Sequence, residues 1–305
     1  MFTTTVSEIK EFWACPTRWY LKYVYPRRTP NGVSAPLTIG TAWHHFMEKL
    51  FNGTDREQAL QEMWNEIDEI VLASANEGFS DLAHKLSNER EKLMVAGKLW
   101  NDWLDCETLA VEKPLELLIP ANEFGEKVPF EDVVIQGKPD RVVRLKHNGK
   151  LMHFQHKTIA GSKPVQPYLD TFHRQAHEGA YWWMIRNEYQ EEPDGVVLNL
   201  MRKLSIKTIT ESPQSAIQQH MIPITKLQAF NTVRNLARTV NAMRSCKIFP
   251  SHFLYDVPDL DMGRYGNSVD PYFEYLSTLD ESALENEARF KPTENRYAAV
   301  ETEEV

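Results

Sequence analysis

Three polar side chains near the middle of the chain are spaced to share one site. Gly137-Lys138-Pro139-Asp140 reads as a turn ending in a carboxylate, and Gln155-His156-Lys157-Thr158 lies beyond Asn148-Gly149, a strong hairpin signal. Asp140 stands eight or nine residues before that turn and Lys157 eight after it. Antiparallel pairing about the turn therefore sets them opposite each other. Gln155 and Lys157 are two apart on one strand and so point to one face. One carboxylate, one amide oxygen and one ammonium thus converge at the end of a hairpin. That set suits hydrolysis of a phosphodiester. A divalent cation on oxygen ligands polarises the phosphate and lowers the pKa of a bound water. A lysine beside it orients the water or offsets the developing negative charge. The same residues also fit an ordinary hairpin with solvated Asp and Lys, because charged side chains are mostly exposed.

The elements that must position these groups can be read along the chain. Ile9, Phe12, Trp13, Trp19, Tyr20 and Tyr23 recur at roughly helical spacing, with Ser7 as the expected N-cap and a break at Cys15-Pro16. Pro26 to Pro36 reads as loop. Helices are expected over 37–51, 55–75 and 82–105. The character changes at Thr108. A strand over 111–119 is interrupted by Pro114, β-branched runs fill 133–145 around Gly137-x-Pro139, and 150–158 is the returning strand. A helix over 168–188, a strand over 195–201, a turn-prone stretch leading to 221–223 and a helix over 225–246 follow. The order predicts an α/β fold with three parts: a helical N-terminal region (1–107), an α/β core (108–248) and an irregular C-terminal segment (249–305) with an acidic, frayed end.

With 305 residues the chain can bury a core without disulfide or metal staples. Its 34 Lys+Arg against 43 Asp+Glu give a net charge of −9, which argues against coating nucleic acid by bulk charge but not against a local basic cleft. The acids concentrate between Asp55 and Glu107 and in the tail. Two basic groups stand apart from them. Arg18, Lys22, Arg27 and Arg28 interleave with Trp19, Tyr20, Tyr23 and Tyr25, a mixture suited to phosphates and unstacked bases. Arg202, Lys203 and Lys207 form the second group. The three cysteines, Cys15, Cys106 and Cys246, are too few and too scattered for a disulfide framework, so reduced thiols and a cytoplasmic setting are expected. No apolar run approaches the ~18 residues a membrane span needs, and the opening MFTTTVSEIKEFW does not read as a secretory leader.

GKPDRV followed by QHKT resembles the hairpin of PD-(D/E)XK nucleases, in the RecB-like branch common in phages. SEIKEFWACPTRWYLKYV is similar to that branch's N-terminal helix with its Cys-Pro signature, and GTAWHHFME to its Gly-x-x-x-His-x-x-x-Glu helix. Val111-Glu112 resembles the acidic strand start before the hairpin, GVVLNLMRK the strand after the motif helix, and Phe249-Pro250 the approach to the C-terminal cysteine region. The matches run in family order over roughly 7–276.

The resemblance implies a restriction-endonuclease-like core, a mixed central sheet flanked by helices. It also implies roles. His44 becomes a ligand for Mg²⁺ or Mn²⁺, Asp140 the principal metal carboxylate, Lys157 the catalytic lysine and Glu112 a further metal ligand. Glu48, one turn from His44, either orients that ring or is plain surface. The family's helical Gln-x-x-x-Tyr finds its tyrosine in Tyr181, but the position four before it is His177, with Gln175 nearby. Tyr181, His177 and Gln175 are the DNA contacts this implies, although Tyr181-Trp182-Trp183 fits core packing as well; Arg18, Lys22, Arg202 and Lys203, from the two basic groups, are the contacts expected from charge.

Two departures stand out. Gln155 replaces the second acid, so the site has an amide oxygen without charge, and Mg²⁺ affinity should fall. Cys15 matches the first cysteine of the iron–sulfur cluster carried by many relatives, but Asp270-Pro271-Tyr272-Phe273 stands where a Cys-Pro-Tyr signature is expected, so no cluster is expected. The resemblance implies a metal-dependent DNA nuclease, an exonuclease of recombination, repair or phage DNA processing, with room for a recombination partner protein. The alternative is a weak or inactive DNA-end-binding accessory protein of the same fold.

Overall fold

The computed structural model describes residues 2–24, 28–30, 34–121, 132–172, 175–245 and 290–292. In chain order the elements are β1 (Phe2–Thr5), α1 (Val6–Ala14), α2 (Pro16–Trp19), a π-helical turn (Tyr20–Val24), β2 (Arg28–Pro30), α3 (Ala35–Phe51), α4 (Arg56–Asn76) and α5 (Ser80–Leu99). They continue with β3 (Cys106–Val111), β4 (Leu115–Ile119), β5 (Val133–Gly137), β6 (Arg141–Leu145), β7 (Leu151–Ala160), α6 (Val165–Phe172) and α7 (Ala176–Tyr189). Last come β8 (Gly195–Lys203), α8 (Ile206–Glu211), α9 (Pro213–Ala216), β9 (Ile217–Pro223), α10 (Lys226–Ser245) and β10 (Phe290–Pro292). Cys246, Phe249-Pro250 and the segment around Asp270 lie outside the described residues.

Two compact units emerge, and neither is one continuous stretch: 1–34 with 118–135 and 234–305, and 35–117 with 136–233. In the first, Thr5 rather than Ser7 caps α1. Its backbone is extended (φ −117°, ψ 157°), and its side-chain oxygen accepts the Glu8 N–H at 3.2 Å. Phe12 and Trp19 meet edge to face at 5.2 Å.

The second unit holds a five-stranded mixed sheet in the order β3-β6-β7-β8-β9. β7 and β8 run parallel, and the other pairs are antiparallel. Alternation along β8 explains the layering. Val196, Leu198 and Leu200 pack with Phe172, Trp182, Ile224 and Ala229, from α6, α7, the end of β9 and the start of α10. On the opposite face Met201 joins the apolar side chains of α3, α4 and α5, while Val197 packs with Val143, Leu145, Met152 and Phe154. Helices therefore cover both faces of a mixed sheet, the restriction-endonuclease-like α/β core that the resemblance implies. Among the described residues no helix is long and apolar enough to cross a membrane.

Beyond the α1 cap, other local expectations need correction, the first being the loop expected over 26–36, which holds β2 and the start of α3. The hairpin does not turn on Asn148-Gly149 as a two-residue loop. Leu145 pairs with Lys150 through its N–H at 2.9 Å, Asn148 Oδ1 accepts the Lys150 N–H at 3.0 Å, and Gly149 takes φ +73°. The loop is thus four residues long, and Arg141 faces Phe154. That register sets Asp140 level with Gln155, two residues short of Lys157, a shift that keeps the same face. The expected strand over 111–119 is two strands, because Glu112 bends the chain into the left-handed region (φ 47°) and Pro114 has no N–H to pair. The helix expected over 168–188 is α6 and α7, since Gln175 is extended (φ −68°, ψ 136°) and starts a new helix. The turn-prone stretch holds α8, α9 and the edge strand β9, with Ser205 capping α8.

Arg141 locks β6 against the chain entering β3. Its guanidinium is buried, donates to Asp102 at 2.6 Å and to Thr108 at 2.7 and 2.9 Å, and covers the rings of Phe51 and Phe154 at 3.9 and 4.9 Å. Removing one partner of such a pair strands a buried charge. Asp102→Ala should therefore lower unfolding stability by about 3 kcal/mol in urea titration; a loss below 0.5 kcal/mol would mean that the guanidinium does not depend on Asp102.

Candidate metal centre

The site is built where β3 ends and β6 begins. Val111 pairs with Arg141, and the ladder is prolonged by one further bond, from the Glu112 N–H to the Asp140 carbonyl at 3.1 Å. The left-handed bend at Glu112 follows at once. A non-glycine residue held there is strained, and such strain persists where surrounding bonds over-determine it. His44 arrives from α3, which packs across β7. Gly40, one turn earlier, brings that helix within ordinary contact of Thr158, the space for a Cβ ending 3.6 Å from Oγ1.

One nitrogen of His44 and one carboxylate oxygen each from Glu112 and Asp140 lie within 4.8 Å of one another. His44 Nδ1 stands 3.4 Å from Asp140 Oδ2. That same oxygen accepts the backbone N–H of His156 at 2.5 Å, so the carboxylate is aimed by the returning strand. Burial works against ionisation of Asp140. The His44 ring outweighs it, with help from Lys157, and holds the carboxyl well below the usual range. Glu112 moves the other way. Burial pushes its pKa up despite an ion pair with Lys138, Nζ to Oε2 2.7 Å. Imidazole nitrogen with two carboxylate oxygens is a donor set suited to Mg²⁺ or Mn²⁺.

Along β7 the side chains alternate between two environments. His156 faces α3: its ring stacks on Phe51 at 5.6 Å and stands perpendicular to the His44 ring at 5.9 Å. Its Nδ1 pairs with Asn199 Nδ2 at 2.9 Å, and Asn199 Oδ1 accepts the Trp100 N–H at 3.3 Å. Complete burial pushes the His156 pKa down to about 3, so the ring is neutral and Nδ1 is the acceptor. His153, Gln155 and Lys157 face α7. His153 Nε2 meets Glu178 Oε2 at 2.8 Å, both fully buried, and His177 Nε2 lies 2.7 Å from the other oxygen. Burial opposes ionisation of Glu178, yet the two histidines bring its pKa down to about 2. Gln155 is 3% exposed, and its Nε2 has no hydrogen-bond partner among the described residues. A buried amide nitrogen without an acceptor is costly.

Of the residues singled out by sequence, His44, Glu112 and Asp140 come together, with Gln155 and Lys157 on the adjoining strand. Tyr181 donates its hydroxyl to the Lys138 carbonyl at 3.1 Å, and Met184 and Tyr181 close against Gly137. His177 turns to Glu178, and Gln175 starts α7. Arg202 donates to the carbonyls of Ser215 and Gly161, and Lys203 pairs with Glu89 at 3.2 Å. Lys22 pairs with Glu11 at 3.2 Å. Arg18 falls in α2, its side chain outside the described residues, as are Tyr25 and Arg27. His45, one position off the motif, pairs with Glu66 at 3.1 Å. From sequence, His156 is expected to offer only its backbone carbonyl to the metal, and the side chains of Lys138, His156 and Asn199 have no assigned role. Lys138 lay in plain view inside Gly137-Lys138-Pro139-Asp140, but no spacing ties it to Glu112.

A profile of the PD-(D/E)XK nuclease superfamily matches residues 3–252. Among solved structures the chain is similar to a candidate exonuclease from Eubacterium rectale, with 11% sequence identity, 87% of this chain and 88% of that chain covered, and a TM-score of 0.45. Comparison with curated proteins finds no match.

His156 makes the fold sensitive to acid. Its unfolded value is 6.5 and its folded value about 3, so between these pH values the unfolded chain binds the extra proton and stability falls as pH falls. Unfolding free energy measured in urea should therefore decline from pH 6.5 downward, and His156→Phe should flatten that slope between pH 6.5 and 4.5 whatever it does to stability at pH 8. An unchanged slope would mean that His156 is not the buried neutral group described here.

Proposed function

The chain belongs to the PD-(D/E)XK nuclease superfamily, and from that premise we propose that it is a metal-dependent deoxyribonuclease of the RecB-like, phage exonuclease branch, acting on DNA ends or single-stranded regions in recombination, repair or phage DNA processing. The observation that carries this reading is the convergence of His44, Glu112 and Asp140 donors within 4.8 Å at the foot of the hairpin that bears Lys157. When bound, Mg²⁺ or Mn²⁺ supplies Lewis-acid polarisation of the scissile phosphate.

The chain's own residues do the rest. His44 would hold the cation through a ring nitrogen, and Asp140 and Glu112 through carboxylate oxygens. Gln155 would add its amide oxygen. Lys157, two residues along the same face, orients the attacking water and offsets negative charge on the phosphate. Tyr181, His177 and Gln175 on or beside α7, with Arg18 and Lys22, are the proposed DNA contacts. Arg202 and Lys203 join them only by leaving the partners they now hold. No iron–sulfur cluster is part of this reading, since three cysteines are fewer than the four thiolates a cluster takes. The proposed setting is the cytoplasm, with a recombination protein as partner.

One observation favours the second reading, a DNA-end-binding accessory protein of weak activity: the position of the second acid is Gln155, buried and uncharged. Degradation of 5′- and 3′-labelled single- and double-stranded DNA separates the two. Cleavage with Mn²⁺, and more weakly with Mg²⁺, is expected, falling at least about 100-fold in Lys157→Ala. Gln155→Glu should raise the Mg²⁺-dependent rate. Binding without cleavage under either metal would leave the accessory reading standing and remove the enzyme.

A further inference from the structure

Glu112 is already engaged, and its partner is a cation supplied by the protein. Lys138 Nζ lies 2.7 Å from Glu112 Oε2, the carboxylate being 11% exposed and the lysine 52%. The lysine backbone is pinned. Tyr181 holds its carbonyl at 3.1 Å, and the preceding residue, Gly137, has Tyr181 and Met184 packed where a side chain would be. The half-exposed ammonium is therefore the mobile part, on a fixed base two residues from Asp140. Glu112 is fixed too, its N–H bound to the Asp140 carbonyl and its backbone bent at φ 47°. A carboxylate so placed has two ways to be neutralised, by the flexible lysine or by a metal shared with His44 and Asp140.

We infer that Lys138 is a built-in competitor for the divalent cation: it occupies Glu112 in the metal-free protein and must release it for the three-residue ligand set to close. The inference rests on the metal-centre reading above and deepens it. Charge explains why the competition counts. Asp140 and Glu112 supply the formal negative charge of the ligand set, and Gln155 supplies none. Lys157 stands close enough to bias Asp140. A dication entering beside two ammoniums and two carboxylates meets a set already balanced, with Glu48 as the further acid whose field reaches both Glu112 and Lys138. Moving one ammonium out restores the imbalance that holds the metal. Lys138 is the one free to move, since its side chain is half exposed. The device sets a metal threshold: below it Glu112 stays on Lys138, and above it the ligand set closes.

Calorimetric titration of Mn²⁺ into the full-length protein tests this without an activity assay. Lys138→Met should bind Mn²⁺ about fivefold more tightly or better, the factor a partly exposed ion pair would withhold. Lys138→Arg, which keeps the charge, should stay within about twofold of the unaltered protein. Unchanged or weaker binding in Lys138→Met, with thermal melting showing a folded protein, overturns the competition while leaving the metal centre intact. Absence of Mn²⁺ binding in the unaltered protein and in both variants overturns the metal centre itself and this inference with it.

Discussion

The site depends on one buried carboxylate that is kept ionised. Asp140 is almost wholly out of water, which by itself would favour its protonated, neutral form. It stays charged because two elements bring donors to it. β7 supplies the His156 N–H and α3 supplies the His44 ring. Each contact also fixes geometry. The first requires that the hairpin close in the register that sets Arg141 opposite Phe154, and the second that α3 cross the sheet with its histidine turned inward. Both donors meet one oxygen, Oδ2, and a carboxylate held there can neither rotate freely nor take a proton cheaply.

Much of the neighbouring packing serves those two contacts. His156 is clamped from the other side of its strand by the Phe51 ring and by Asn199, which is itself tied to Trp100. This buried polar chain has its bonds satisfied except at His156 Nε2, and buried networks specify one arrangement when their members are paired. Arg141, next to Asp140, anchors the strand with a guanidinium that is bonded to Asp102 and Thr108 and covered by two aromatic rings. The opposite face of β7 carries its own buried charge, Glu178 between His153 and His177, so the strand bearing Gln155 and Lys157 is held by polar contacts on both sides.

Several elements were legible because their signals are local. The helices α3, α4 and α5 follow from apolar spacing, with ends within a few residues of those expected except that α5 stops at Leu99, and Asp55 caps α4 as a short polar residue before an apolar run should. The β8 strand reads as a continuous apolar run because it is buried on both faces. The errors are equally physical. The Asn148-Gly149 dipeptide suits a two-residue turn, but Asn148 found a better bond with the Lys150 N–H and lengthened the loop. Over 168–188 apolar residues stand on both sides of a polar stretch, and nothing in that pattern announces the extended backbone of Gln175.

By itself the sequence determined the α/β order of elements, the hairpin and the residues able to ligate a metal, because these depend on residue types and on spacings along one element. Tertiary structure decided which of them meet. His44 and Asp140 are far apart in sequence, and only the crossing of α3 over β7 brings their atoms to 3.4 Å. Glu112 entered the site through a backbone bend that its own side chain does not favour. Lys138 gained an ion-pair partner only because that bend delivered a carboxylate to its ammonium. Spacing rules describe neighbours on one helix or strand, whereas these contacts are set by how separate elements pack, and that is a property of the whole core.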